Sequence, residues 1–173
     1  MKFTKTTING VSIVELEKKA DDRGFLARMW GEKEFKEQGI DFSILEGYVT
    51  HSPTKGTMRG FHYLTVPEKK LTRVLKGSIY EVVIDVNPES KTFKKWEAFT
   101  LKDSDYKMVY MGPGIAHAIL TLEDNTELQS LYAPAYAPGN EGGIRYNDPT
   151  FKITWPIEVT KVSEKDIAWK DFT

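Results

Sequence analysis

The chain has 173 residues, of which 40% are hydrophobic and 28% are charged, as in globular proteins that bury about two thirds of their unfolded surface. Its 24 Lys and Arg residues nearly balance its 25 Asp and Glu residues, so no overall field favours nucleic acid or an anionic membrane. The absence of cysteine excludes disulfides, thiolate metal ligands and cysteine nucleophiles. No signal-like or membrane-spanning apolar run is present, so we expect a cytoplasmic protein that does not bind membranes.

Two short helices are predicted near the ends of the chain. Residues 32–38 favour a helix that ends at Gly39. Residues 163–166 begin with a serine and have the spacing of a capping box, which predicts the start of a second helix.

Short apolar and β-branched segments dominate the middle of the chain. Strands are predicted at 71–75, 79–86, 96–101, 106–111, 118–122 and 127–132. Gly77 lies between the first two, and this spacing predicts a hairpin. Many short strands separated by Gly and Pro indicate an all-β sandwich or barrel, and the absence of repeats or linkers predicts a single domain over residues 1–173.

Three histidines, His51, His62 and His117, each lie beside a small or turn-forming residue. A single histidine is more often structural than catalytic, but His62 follows Arg59 closely and Lys70 stands just before a predicted strand. If the strand of His62 ran antiparallel to that of Lys70, the three side chains could face one pocket. That pocket would combine two cations with a base that titrates near neutral pH.

Eight segments of the chain resemble, in order and spacing, the dTDP-4-dehydrorhamnose 3,5-epimerases and their relatives. The segments are 22–25, 58–63, 70–74, 86–93, 112–117, 143–149, 153–156 and 163–166. The resemblance implies a cupin-type double-sheet jelly-roll β-barrel with short peripheral helices, acting as a homodimer with the active site inside the barrel. It also implies epimerisation at C3, C5 or both of a nucleotide-linked 4-keto-6-deoxy hexose, without a cofactor.

The same resemblance implies three catalytic residues. His62 matches the base of the family, Asp166 matches the carboxylate that holds this base, and Lys70 matches the lysine near the ketone. This set suits the chemistry, because a ketone at C4 acidifies the C–H bonds at C3 and C5 and the resulting enolate needs a nearby cation.

Five further positions are implied to bind substrate. Arg23 and Arg59 match arginines around the diphosphate, where a planar guanidinium fits phosphate well. His117 matches a histidine near the sugar. Phe25 and Tyr136 match the remaining substrate-binding positions.

The residue that protonates the enolate from the opposite face is less clearly defined by the sequence. The family places a tyrosine six residues before the position of Tyr136, and this position is Ser130 here. Tyr132 points to the same face of a regular strand and is the candidate acid, although a water held by Ser130 could also supply the proton. A weaker acid could restrict the reaction to one carbon, slow it or leave the protein non-catalytic.

A metal site is not expected. Residues 113–117 have the form of the second cupin motif, in which the histidine can bind metal. The first motif normally supplies a second histidine and a carboxylate, but Leu64 and Lys70 stand near those positions. Two histidines beside a cation make a poor site for zinc or iron.

The sequence leaves two alternative functions and the nucleotide open. A 3,4-ketoisomerase shares the barrel and the substrate class, but Leu64 stands where those enzymes carry a second histidine. A non-catalytic protein that binds sugar nucleotides or carbohydrates is the second alternative, and Ser130 supports it. Arg28, where many members of the family have Glu, and the absence of the usual Gln and Asn from 48–52 make dTDP a family default, with GDP or CDP as alternatives.

Overall fold

The computed structural model describes residues 1–135 and 138–172. One antiparallel sheet has six strands. In spatial order they are β1 (Lys2–Lys5), β2 (Val11–Glu15), β10 (Lys107–Met111), β7 (Lys69–Lys76), β12 (Thr126–Ala133) and β5 (Glu46–Ser52). Strands from the beginning and the end of the chain therefore lie in one sheet, which makes this sheet a product of long-range pairing.

The second sheet has five antiparallel strands. Its order is β13 (Glu141–Gly143), β6 (Met58–Leu64), β11 (Ile115–Thr121), β8 (Ser78–Asp85) and β9 (Trp96–Lys102). Buried side chains from both sheets, among them Val74, Val83, Ile119 and Leu128, form one cluster in the core. The prediction of an all-β, cupin-type double-sheet fold is confirmed.

The smaller elements lie around this core. The strands β3 (Lys19–Asp21) and β4 (Gly24–Leu26) form a separate hairpin, and a short 3₁₀ helix covers Asp103–Asp105. The helix α1 (Glu32–Glu37) is held by Phe35, which is fully buried; burial of such a side chain contributes about 2–3 kcal/mol. None of the helices in the described part of the chain is long and apolar enough to cross a membrane.

Both predicted helices are present, and the second forms only half of the predicted capping box. In α2 (Glu164–Ile167), the backbone N–H of Asp166 donates to the Ser163 hydroxyl at 3.1 Å, as the first half of a capping box requires. The Asp166 side chain does not complete the box. Its carboxylate accepts hydrogen bonds from Gly60 and His62 on β6 instead.

The predicted hairpin around Gly77 is wrong. The strands β7 and β8 belong to different sheets, so the chain crosses from one sheet to the other at this glycine. Gly77 has a φ of +81°, and a Cβ atom there would lie 2.7 Å from the Thr126 hydroxyl oxygen, so the crossing requires glycine. The strands of His62 and Lys70 are not antiparallel neighbours either, because β6 and β7 also lie in opposite sheets.

Candidate active site

A cavity of about 460 Å³ opens between the two sheets, beside the edge strand β5. The predicted residues His62, Lys70, His117 and Tyr132 all line it. The rest of the lining comes from β5, the end of β6, β13, the C-terminal segment and the residues next to β7 and β12. It consists of Glu46, Tyr48, Val49, Thr50, Tyr63, Leu64, Glu68, Pro134, Glu141, Gly142, Lys165 and Trp169.

The first functional group in this cavity is a histidine–aspartate pair. His62 Nε2 donates to Asp166 Oδ1 at 2.7 Å, and the backbone N–H of Gly60 donates to Asp166 Oδ2 at 3.2 Å. The His62 side chain is 45% exposed to the cavity, whereas the Asp166 side chain is 6% exposed. With Nε2 bound to the carboxylate, Nδ1 is the nitrogen left to accept a proton.

The charge of Asp166 is stabilised by these hydrogen bonds. Burial acts to raise its pKa, but the His62 hydrogen bond and charge, together with the Gly60 and Ser163 contacts, outweigh burial and lower the pKa below its usual value. The carboxylate therefore stays ionised at neutral pH, so it can stabilise an imidazolium ion on His62.

Gly60 sets how closely β6 approaches β11. Its φ is +114°, and a Cβ atom at this position would lie 2.5 Å from the carbonyl oxygen of His117 and 2.8 Å from the Cα of Ala118. Only glycine permits this approach. As a result, His62 and His117 are direct cross-strand partners at the cavity wall.

A second, deeper group joins His117 to a buried carboxylate. His117 Nδ1 donates to Glu81 Oε1 at 3.0 Å, and the Thr72 hydroxyl lies 3.2 Å and 3.1 Å from the two Glu81 oxygens. Glu81 is completely buried, and burial raises its pKa to about 7, although Thr72 and the charge of Lys70 oppose the rise. Burial, followed by the charge of Lys70, holds the pKa of His117 well below its usual value, so this ring is neutral.

Lys70 connects the buried group to the cavity. Its Nζ donates to His117 Nε2 at 3.0 Å, lies 3.4 Å from Glu68 Oε2 and sits 4.9 Å from the centre of the Tyr132 ring. The side chain is 6% exposed. Lys70 is thus a positive charge with a fixed position, and such a charge stabilises an oxyanion by up to a few kcal/mol.

Ser130 and Tyr132 occupy neighbouring positions on one face of β12. Ser130 is largely buried and lies opposite Thr72, whereas Tyr132 lies opposite Lys70 and contributes its ring to the cavity wall. Of these two side chains, the phenol is the one that reaches the cavity beside the cation.

The predicted phosphate-binding residues do not line this cavity. Arg23 is 85% exposed beyond β3, where its Nη2 lies 2.6 Å from Asp21 Oδ2. Phe25 packs edge-on against Tyr106, at 4.9 Å between ring centres. Arg59 donates to the Ser52 hydroxyl at 3.0 Å and to the His51 carbonyl oxygen at 3.1 Å. Tyr136 lies outside the described residues.

Thr72, Glu81 and Glu68 are among the polar residues of the site that were not anticipated from the sequence. Glu81 carried a usable signal, because it is the one acid inside the otherwise apolar run of β8 before Asp85. A charged residue in the middle of a buried strand normally has a partner. No group of three or more His, Cys, Asp or Glu residues suited to hold a metal ion occurs within residues 1–135 and 138–172.

Comparisons with known proteins agree with this geometry. The model of the dTDP-4-dehydrorhamnose 3,5-epimerase family matches residues 5–173. The dTDP-4-dehydrorhamnose 3,5-epimerase of Methanothermobacter thermautotrophicus is 32% identical, with 98% of this chain and 93% of the relative covered.

Two solved structures extend the similarity to the fold. The Bacillus anthracis enzyme with TDP and PPi bound has a TM-score of 0.94 at 28% identity, covering 99% of both chains. The Legionella pneumophila enzyme in complex with dTDP-4-keto-L-rhamnose has a TM-score of 0.90 at 29% identity, covering 98% of this chain and 92% of the other. This chain belongs to the dTDP-4-dehydrorhamnose 3,5-epimerase family.

Proposed function

We propose that this protein epimerises a 4-keto-6-deoxy hexose linked to dTDP at C3, C5 or both, with His62 as the base. The observation that carries the proposal is the placement of the His62–Asp166 pair and the Lys70 ammonium group in one cavity, on opposite sheets. A substrate in this cavity would meet both a base and a cation. The choice of dTDP rests on the ligands named for the related structures.

The reaction follows from the charges of these groups. His62 Nδ1 takes the proton of the C–H bond beside the ketone, and the electron pair of that bond moves to the C4 oxygen. Asp166 stabilises the imidazolium ion, while Lys70 stabilises the enolate oxygen. Tyr132 then gives its phenolic proton to the carbon from the opposite face and regains a proton from water, while the His62 imidazolium ion releases its proton to water.

His117 and Glu81 serve this reaction indirectly in the proposal. Because His117 is neutral and Glu81 fixes its Nδ1–H, His117 Nε2 is an acceptor that holds the Lys70 ammonium group in place. The pair therefore positions the cation that stabilises the enolate.

We further propose that residues 1–173 act as one domain in a cytoplasmic homodimer. Exposed apolar side chains on β4 and at the β5 edge, including Leu26, Leu45 and Val49, support a second copy as the partner. Arg23 and Phe25 lie on the exposed hairpin and Arg59 lies beside β5, so in this proposal they and Tyr136 complete the nucleotide site in the dimer. Light scattering over a range of protein concentrations measures the oligomeric state.

Deuterium incorporation tests the function directly. The protein, incubated with a dTDP-linked 4-keto-6-deoxy hexose in heavy water, is expected to place deuterium at C3 or C5 and to form the epimer, both measured by NMR. A ketoisomerase would instead move the carbonyl group to C3, which changes the ¹³C spectrum. If the TDP, GDP and CDP sugars all bound without exchange, the protein would be a binding protein and the proposal would be wrong.

A further inference from the structure

Two neighbouring strands place a second tyrosine beside the proposed acid. On β12 and β5, Tyr132 lies directly opposite Glu46, and Ser130 lies directly opposite Tyr48. Tyr48 and Tyr132 are therefore diagonal neighbours, a separation that aromatic side chains can bridge. Their ring centres are 5.4 Å apart at an angle of 85°, so the rings meet edge to face.

The position of Tyr48 is itself fixed by a carboxylate. Its hydroxyl donates to Glu46 Oε2 at 2.5 Å, and both side chains line the cavity. Hydrogen bonds to an ionised acceptor are short and stronger than neutral ones. The Tyr132 ring is consequently held between two groups, the anchored Tyr48 ring and the Lys70 ammonium group 4.9 Å from its centre.

The partners of the two phenols decide which one can donate a proton. Loss of a proton leaves a negative phenolate, which a cation stabilises and an anion destabilises. Tyr132 lies beside the positive charge of Lys70, whereas Tyr48 is bonded to the carboxylate of Glu46. Tyr132 is therefore suited to be the acid, and Tyr48 is suited to hold it.

We propose that Tyr48, anchored by Glu46, is a positioning residue that holds the Tyr132 phenol over the enolate for protonation from the face opposite His62. The inference rests on the proposed function. In the step concerned, the Tyr132 O–H bond breaks and the enolate electron pair forms the new C–H bond. The C4 carbonyl re-forms, and the phenolate oxygen takes a proton from water.

The experiment measures how the enolate partitions in heavy water. Once the proton on His62 has exchanged with heavy water, its return gives deuterated but unepimerised substrate, whereas transfer from Tyr132 gives the epimer. Tyr48→Phe keeps the ring but removes the bond to Glu46, so the ratio of deuterated substrate to epimer should rise roughly threefold to tenfold, the effect of one hydrogen bond. Glu46→Gln keeps an acceptor oxygen and should give a smaller rise.

Two reference variants show how large and how small a change in the ratio of deuterated substrate to epimer can be. Tyr132→Phe should raise the ratio at least as much as Tyr48→Phe, because it removes the proposed acid itself. Tyr80→Phe changes a tyrosine that packs against Trp155 in the core cluster, so its ratio should equal that of the wild type. Continued deuterium incorporation into substrate shows that a variant is folded, because it requires an intact His62 site.

The outcomes separate this inference from the proposed function. An unchanged ratio in both Tyr48→Phe and Glu46→Gln, or an effect confined to KM, would overturn the positioning role while leaving epimerisation intact. Absence of exchange and of epimerisation in the wild-type protein would instead overturn the proposed function and, with it, this inference. If Tyr48→Phe does not fold, Glu46→Gln decides the question alone.

Discussion

The two histidines of the cavity are cross-strand partners, yet their surroundings differ sharply. His62 is half-exposed and is bonded to Asp166, whose pKa is lowered by its hydrogen bonds despite burial. The His117 side chain is only 13% exposed and is bonded to Glu81, whose pKa burial raises to about 7. Each histidine has a carboxylate partner, so the difference lies in burial and in the neighbouring charge of Lys70, which together lower the pKa of His117. His117 therefore stays neutral and serves as a hydrogen-bond partner of Lys70, whereas the more exposed His62 ring is the proposed base.

The largest effect is expected when His62 is replaced. His62→Asn removes the base, so deuterium exchange at C3 or C5 should fall by about 10²- to 10⁴-fold, the usual contribution of general base catalysis. NMR in heavy water measures the rate. The matched control is His51→Asn, which makes the same change at a histidine side chain outside the cavity lining. Exchange within tenfold of the wild-type rate in His62→Asn would show that another group is the base.

Replacement of Lys70 is expected to have the next largest effect. Lys70→Met keeps the length of the side chain but removes the charge at the enolate oxygen, so kcat should fall by about 10²- to 10³-fold. Steady-state kinetics of epimer formation measure this change. Lys69→Met serves as the control, because Lys69 lies outside the cavity lining and its ammonium group contacts the Asp41 carbonyl oxygen. A loss of less than fivefold in Lys70→Met would remove Lys70 from the mechanism.

The raised pKa of Glu81 should also change how the free energy of unfolding depends on pH. The folded protein keeps the Glu81 proton up to about pH 7, whereas an unfolded chain releases it near the ordinary glutamate pKa of 4.5. The free energy of unfolding therefore loses a contribution as pH rises through this range. At about 1.4 kcal/mol per pH unit, the loss is about 3 kcal/mol. His117 acts in the opposite direction below pH 6.5, because the unfolded chain binds its proton more readily than the folded protein does.

Urea denaturation of Glu81→Gln at pH 5 and pH 8 isolates this contribution. The variant lacks the Glu81 proton but keeps His117, so its stability relative to the wild type should improve as pH rises. Glu158→Gln, at an exposed position, should follow the wild-type curve at both pH values. Parallel curves for Glu81→Gln and the wild type would mean that Glu81 is ionised in the folded protein throughout this range.

The sequence was sufficient for features with a local cause. The α1 helix, the Ser163 cap and most central strands followed from composition, spacing and turn residues. The pairing of strands did not, because a glycine turn between two strands can close a hairpin or carry the chain into another sheet. At Gly77 the chain passes into the other sheet, and Thr126, which is distant in sequence, packs against the turn.

Some residues of the site could likewise be predicted from the sequence, whereas others could not. The family resemblance and the alternation of side chains along β12 together indicate His62, Lys70, His117 and Tyr132, and all four line one cavity. Glu81 was missed because its partner, His117, is 36 residues away and on a different strand. The roles of Arg23, Phe25, Arg59 and Tyr136 stay predictions, since in a single chain the first three lie outside the cavity.

The contact between Gly60 and the His117 carbonyl group also bears on redesign of the pocket. Any larger residue at position 60 would push β6 and β11 apart, so His62 and His117 would be displaced together. The opposite rim is different, because β5 is an edge strand among the described residues and presents Tyr48, Val49 and Thr50 to the cavity. Libraries that seek acceptance of other sugar nucleotides should therefore vary Val49 and Thr50 and leave Glu46, Tyr48 and the β6–β11 seam unchanged.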